Sequence, residues 1–491
     1  MIKDIKNTIR QSAIYGLSRI GIRAASFILI PIYTSVFNAD GIANINLLES
    51  FWQYIFTFIL FGAEAAIINF CAKESDISKR KKLLFNFFSI LVFNSIMFIG
   101  IAKILSVDLS TLVLNESGYG NVIFYCFLIS VFEALLIIPL TIARLNERPA
   151  LYTLIVLCNL ILNISLQIYF IFILKYSFEY VFLAKFIAPA FTLLICIPYL
   201  MKHLKINFEI SSLKEIVSYS LPLMIAMVLS LLLNSVDRFI LVDFVTKQQV
   251  AIYTIAYSIG SVTNAFILSP YTLAMNVIFW KKLDDNNFGR FMTKSSTYLF
   301  FSMIFSALVI SFFIQYAIKI FVRNPELWYA SNIIPIILFA NCFVALFLFP
   351  TLDFYYKKRT NTILLIIVLS LIVCVILNVI FIRYYGIYAA AIITVLSYIF
   401  MFTIGLYFSR KIRLTKYEPK KLILLSVLFI TFVYSTFWMS IQNLYLDIII
   451  KVFLILLYLF FLYLFGFFEK IEIIKVKEIS NKYLKTNFSL T

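Results

Sequence analysis

The sequence predicts an all-α, polytopic membrane protein of about 14 transmembrane helices, arranged as two six-helix lobes with two further helices after them. Three observations carry this. Hydrophobic residues make up 63% of the chain and charged ones 13%, whereas soluble domains are about 45–50% apolar and about 25% charged. The apolar residues form long continuous runs rather than alternating ones, which excludes a membrane β-barrel. The charges fall between the runs, and the basic ones favour every second connection.

The apolar runs cover 11–36, 45–70, 83–105, 121–143, 151–174, 179–200, 213–243, 250–279, 295–322, 328–352, 361–382, 386–408, 420–441 and 445–468. A helix needs about 20 such residues to cross the hydrocarbon layer. The first run follows Met-Ile-Lys-Asp-Ile-Lys, exceeds a signal-peptide core and is interrupted by Arg19 and Arg23, so it is expected as a retained span. Short polar breaks, Lys175–Glu179 and Arg383–Gly386, separate runs five from six and eleven from twelve.

Even-numbered connections carry Lys73 and Lys79 to Lys82, then Arg144 and Arg148, then Lys202, Lys205 and Lys214. They continue with Lys281, Lys282, Arg290 and Lys294, then Lys357 to Arg359, then Arg410 to Lys421. Both ends of the chain are basic as well. Odd-numbered connections are nearly bare, the first holding Asp40 and the next Asp108 and Glu116. Basic loops mark the cytoplasmic side, so an even number of spans with both termini cytoplasmic is expected. The net charge of +18 is therefore read as topology and not as a nucleic-acid footprint.

No connection exceeds about 20 residues and no GxxxxGK[ST] loop occurs, which argues against ATP hydrolysis by this chain. The six cysteines form no CxxC pair and His203 is the single histidine, so neither a metal nor a cofactor is expected. A weak repeat relates Arg144-Leu-Asn146 and the run to Asn163 with Arg359-Thr-Asn361 and the run to Asn378, at an offset of 215 residues. The same offset sets Arg23 against Arg238. Six spans separate equivalent positions, so the repeat is parallel. Two such bundles enclose a cavity at their interface, as transporters do. The expected division is a first lobe over 1–210, a second over 211–412, and two spans with a basic tail over 413–491.

Ionisable residues inside spans are expensive and mark candidate sites. Arg19 and Arg23 share one face of the first span at i and i+4. They suit an anionic ligand, above all phosphate, because guanidinium donates two parallel hydrogen bonds. The alternative is pairing with an acid, for which Glu64 and Glu133 are available. Glu133 sits mid-span with Pro139 after it, and either pairs or carries a proton. Glu64 is nearer the cytoplasmic end. Lys185 either extends a cationic lining or snorkels outward. Asp237-Arg238 forms a local interfacial pair or belongs to the site.

The chain resembles a known family through Ser12-Ala-Ile-Tyr-Gly-Leu-Ser-Arg19, Phe27-Ile-Leu-Ile-Pro-Ile-Tyr-Thr34 and Tyr219-Ser-Leu-Pro222. Asn234-Ser-Val-Asp-Arg238-Phe-Ile-Leu241 and Val250-Ala-Ile-Tyr-Thr-Ile-Ala-Tyr-Ser258 continue it. So do Tyr356-Lys-Lys-Arg-Thr-Asn361, Ile376-Leu-Asn378 and Tyr385-Gly-Ile-Tyr-Ala-Ala-Ala391. The pattern is similar to the Wzx-type O-antigen flippases of the multidrug/oligosaccharidyl-lipid/polysaccharide exporter superfamily, over about the first 410 residues.

The resemblance implies a non-enzymatic flippase of the bacterial inner membrane. It would move an undecaprenyl-diphosphate-linked oligosaccharide repeat unit from the cytoplasmic to the periplasmic leaflet, for O-antigen lipopolysaccharide or another surface polysaccharide. Relatives line their cavity with cations, a role Arg19 and Arg23 match by position. Substrate binding is thus expected at Arg19, Arg23, Lys185 and Arg238, with Glu64, Glu133 and Asp237 as coupling or pairing acids. The lipid II flippases carry further cavity arginines; the second span here has Glu64 and no arginine, which leans away from lipid II. Membrane lipids and polysaccharide polymerase machinery are the expected neighbours, nucleic acid is not, and coupling to H+ or Na+ stays open. The rivals are an O-antigen polymerase or ligase, which would carry a large periplasmic loop, and a drug/cation antiporter, which would line its cavity with acids.

Overall fold

The computed structural model describes residues 29–469, except 72–73, 75, 147, 208–209, 284, 358, 413–414, 438 and 440–442. Arg19 and Arg23 lie outside the described residues. All regular structure among the described residues is helical. Where hydrocarbon offers no hydrogen bonds, helices close their own backbone, and this composition leaves no other way to satisfy it.

The first helix is described over 29–36 (α1). It is followed by α2 (Ala39–Leu60), α3 (Ala63–Cys71), α4 (Ile77–Leu114), α5 (Gly120–Leu145), α6 (Pro149–Gln167) and α7 (Glu179–His203). The second half holds α8 (Ile210–Phe244), α9 (Lys247–Gly260), α10 (Ser269–Lys282), α11 (Phe288–Phe321), α12 (Ile334–Tyr356) and α13 (Thr360–Ser409). Last come α14 (Pro419–Phe437) and α15 (Leu444–Leu464). Side-chain caps start several of them: Asn38 accepts from Gly41 N–H, Asp76 from Ser78 N–H, and Asn443 from Tyr445 N–H.

Eleven helices among the described residues are long and apolar enough to cross a bilayer, and the chain is a multi-pass membrane protein. The difference from the expected number has three local causes. The first run lies mostly before residue 29. The second forms α2, long enough at 22 residues but made too polar by Asp40, Asn44, Asn46, Glu49 and Gln53, and the positive φ of Phe61 and Gly62 divides it from the short α3. The eleventh and twelfth are joined in α13, whose 50 residues would extend about 75 Å if straight. Gly386, at φ 54° and ψ −134°, breaks it. Cys374 and Ser397, from opposite sides of Gly386, lie beside one another, so the chain doubles back there.

Contacts between connections sort them onto two ends. At one end Glu116 meets Lys247, Thr34 meets Arg323, and Tyr329 meets Tyr388. At the other end Arg80 reaches Asn146 and Lys205 reaches Ser78. Lys294 there meets both Glu418 and Glu469. The first end gathers the sparsely basic connections and the second the basic ones, called here the bare and basic ends. Buried apolar side chains of α2–α7 form clusters distinct from that of α8–α15, except that Ala39, Ile42 and Ala43 of α2 join the core of the second half and Ile216 of α8 joins one of the first. Residues of α14 and α15, such as Phe429 and Tyr458, share the core of the second half.

Candidate functional site

The two halves meet chiefly where α2 lies against α8 and α9. The bare-end turn of α2 carries Ala39, Ile42 and Ala43, and all three are buried in the core of the second half with Val250 and Ala251 of α9. Small side chains let the helices approach closely, and interhelical hydrogen bonds then add to the packing. The Tyr54 hydroxyl lies 2.5 Å from Ser235 Oγ of α8. Arg238 donates from its guanidinium to Ser50 Oγ of α2 at 3.1 Å and stacks over the Tyr257 ring at 4.3 Å. Such stacking contributes about 0.5–2 kcal/mol. The Glu116–Lys247 ion pair and the Arg323 backbone N–H bonded to Thr34 Oγ1 at 2.9 Å close the same seam at the bare end.

Asp237 is buried next to this seam. Its carboxylate accepts the backbone N–H of Arg238 at 2.8 Å, the Tyr253 hydroxyl, and a long contact from Thr394 Oγ1 at 3.4 Å. A polar chain continues from Tyr257 to Tyr398 at 3.1 Å and from Tyr398 to Asn234 at 2.7 Å. Among the described residues Asp237 takes part in no ion pair, and its neighbour Arg238 points instead across the seam.

The remaining candidates lie elsewhere. Glu64, at the start of α3, pairs with Arg144 of α5 at 2.5 Å. Lys185 of α7 pairs with Glu49 of α2, so its charge is matched within the first half. Glu133 of α5 is half-buried and accepts from Asn159 of α6 at 3.2 Å. Further along α6, Gln167 donates to Asn163 at 2.5 Å and accepts from Tyr33 of α1. The structure therefore joins Asp237 and Arg238 in one cluster, sets Glu133 within electrostatic reach of Lys185 in another, and leaves Glu64 apart with Arg144. Sequence reasoning missed Glu49, which stands near the start of its run and reads as interfacial. It also missed Tyr253, Thr394 and Ser50, hydroxyls in apolar runs that carry no signal without a partner.

Among the described residues no group of three or more His, Cys, Asp or Glu side chains is placed to hold a metal. What the arrangement offers is a seam between two helical bundles, held by polar contacts, with a buried carboxylate beside it. That is the architecture of a membrane transporter built from two bundles. Residues 8–279 match the family described as polysaccharide biosynthesis protein, and the chain belongs to that family.

No curated protein matches the chain significantly. Its fold is similar to that of the lipid II flippase MurJ in an inward closed conformation, with a TM-score of 0.72 at 16% identity over 93% of this chain and 99% of that one. It is also similar to an inward-facing multidrug resistance MATE family transporter of the MOP superfamily, with a TM-score of 0.66 at 13% identity over 81% and 97% of the two chains. The Vibrio cholerae MATE transporter VcmN in its bent form gives 0.56 at 14% identity over 83% and 96%.

Proposed function

We propose that the protein is a flippase for undecaprenyl-diphosphate-linked oligosaccharide repeat units, working by alternating access in the bacterial inner membrane with both termini cytoplasmic. The observation that supports this best is membership of a polysaccharide biosynthesis family in a chain with a lipid-flippase fold and an arginine pair on its first span. The lobes would be 1–210 and 211–412, with 413–491 appended, and the spans would number about 14. The diphosphate binds Arg19 and Arg23, the sugars occupy the aqueous cavity, and the lipid tail remains in the bilayer. Arg238 serves the anion on the bare side. Lys185, neutralised by Glu49, contributes as part of a fixed pair. Asp237 and Glu133 are the acids free to take up H+ or Na+, while Glu64 is committed to Arg144.

The test is export in a cell that lacks its own O-antigen flippase. Arg23→Ala is expected to abolish complementation while the protein still inserts. Full export by Arg23→Ala would overturn the site assignment. A second reading, drug/cation antiport, draws on the MATE-like fold and the buried Asp237. Extrusion of a cationic dye without glycan export would select it.

A further inference from the structure

The dipeptide Asp237-Arg238 places an anion and a cation on adjacent residues of α8 that face different partners. Asp237 faces the interior of the second half, towards Tyr253 and Thr394. Arg238 crosses to the first half, where it holds Ser50 of α2. A carboxylate has about four acceptor positions. Among the described residues the Asp237 oxygen bonded to the Arg238 N–H accepts no second hydrogen bond, so it keeps acceptor capacity for one more donor or a small cation. The titratable and charged groups around it are Tyr54 of α2, Tyr253 and Tyr257 of α9, Cys374 and Tyr398 of α13, and Arg238 itself. Arg238 is the single cation of that set. Its Nε is buried without a hydrogen-bond partner, so the guanidinium is under-satisfied where it stands. A side chain held partly by a neighbouring charge is released when that charge is cancelled.

We propose that Arg238 is a positioning residue that couples cation occupancy of Asp237 to closure of the bare end. With Asp237 anionic, its field keeps the guanidinium beside Tyr257 and bonded to Ser50, and the seam stays shut. A proton or monovalent cation on Asp237 removes that attraction, and a bound metal cation also repels the guanidinium. Arg238 then leaves Ser50, and α2 separates from α8 and α9. This rests on the ion-coupled transport reading above and adds the residue that transmits the ion's arrival.

The test uses the full chain in liposomes, without any glycan. Thr34→Cys and Arg323→Cys place thiols across the seam at a contact now bridged by a hydrogen bond. The native half-exposed Cys158 is replaced. The rate of reaction with a short bifunctional thiol reagent is followed against pH and Na+ concentration. The expected result is a severalfold fall in rate as one of the two ions rises in the parent. Asp237→Asn and Arg238→Gln should both give low rates that ignore the ion, and Arg238→Lys should restore part of the response. Ser50→Ala, which keeps both charged residues, should lose the response as Arg238→Gln does.

An ion response in Arg238→Gln or Ser50→Ala as steep as the parent's would overturn the proposal and leave ion coupling standing. A parent indifferent to both ions would overturn both together. Neither outcome touches the Arg23→Ala export test.

Discussion

A carbonyl released from a helix inside a bilayer needs another donor, and Asn341 supplies one. The eighth span is not a regular helix: α9 stops at Gly260, and Asn264–Leu268 is wound as a π-helix before α10. Asn341 of α12 donates to Gly260 O at 2.9 Å and accepts from Asn264 Nδ2 at 2.7 Å. Gly260 is also a point of close approach between α9 and α12, since a Cβ there would lie 2.7 Å from Ile337. Asn341→Leu keeps the branched heavy-atom shape and removes both bonds. It should destabilise the protein by about 1–3 kcal/mol, the cost of a buried polar group left unmade. Thermal unfolding of the full chain in detergent measures this, and an unchanged midpoint would mean that water or another side chain takes over. None of this was legible in the sequence. Asn264 and Asn341 are single amides in apolar runs, and hydropathy says nothing of what faces them.

At the scale of elements, α14 and α15 are fastened to α11 at both ends. At the bare end Asp447 of α15 pairs with Lys451 at 2.7 Å and accepts the Tyr316 hydroxyl of α11, with both members of the pair buried. At the basic end Glu418 accepts from Lys294 at 3.0 Å and Thr297 at 2.8 Å, and Lys294 also pairs with Glu469 at 2.5 Å. Burial alone would raise the pKa of Glu418, but hydrogen bonds from Lys294, Thr297 and Lys421 lower it overall. The Lys294 hydrogen bond, helped by the charges of Lys294, Lys421 and Arg290, lowers that of Glu469.

A carboxylate with a depressed folded pKa stabilises the fold above its ordinary value of 4.5 and loses that contribution as pH falls through the folded value. The basic-end clamp should therefore hold unchanged from neutral pH down to about 4.5 and release below it. Limited proteolysis of the connection before α14 with an acid-active protease measures the release. Cleavage that already rises between pH 7 and 5 would contradict it.

The helices were readable because apolar runs of span length leave few alternatives. The breaks were not. Phe61–Gly62 and Gly386 depend on the backbone angle of one or two residues, and Asp447 with Lys451 needed Tyr316 to show its purpose. Within the site, Asp237-Arg238 stood out as charge in an apolar run. That its two members hold different partners, Tyr253 and Thr394 for one and Ser50 and Tyr257 for the other, comes from packing over long sequence distances.

For the whole molecule, the alternating charge of the connections foretold two ends of different character, and the contacts between connections group them accordingly. What the alternation did not foretell is that, among the described residues, an ion pair joins the halves across the bare end. Glu116 and Lys247 are partly exposed, so their attraction is worth only about 0–1 kcal/mol. That is small beside folding energies but not beside the difference between two conformations of a transporter, where ~1 kcal/mol shifts populations roughly fivefold.

The pair should therefore act on the conformational balance and hardly at all on unfolding. The reporter is a cysteine in place of Ala43, a residue of α2 buried at the closed seam and reached by a soluble thiol reagent only when the bare end opens. Glu116→Lys or Lys247→Glu alone should raise its labelling by about fivefold, by setting like charges face to face. The double reversal should return labelling to the parent rate, and high salt should raise the parent towards the single variants by screening the pair. Labelling indifferent to both single reversals would show that apolar packing of Ala39, Ile42 and Ala43 closes this end by itself, and that the ion pair follows closure without biasing it.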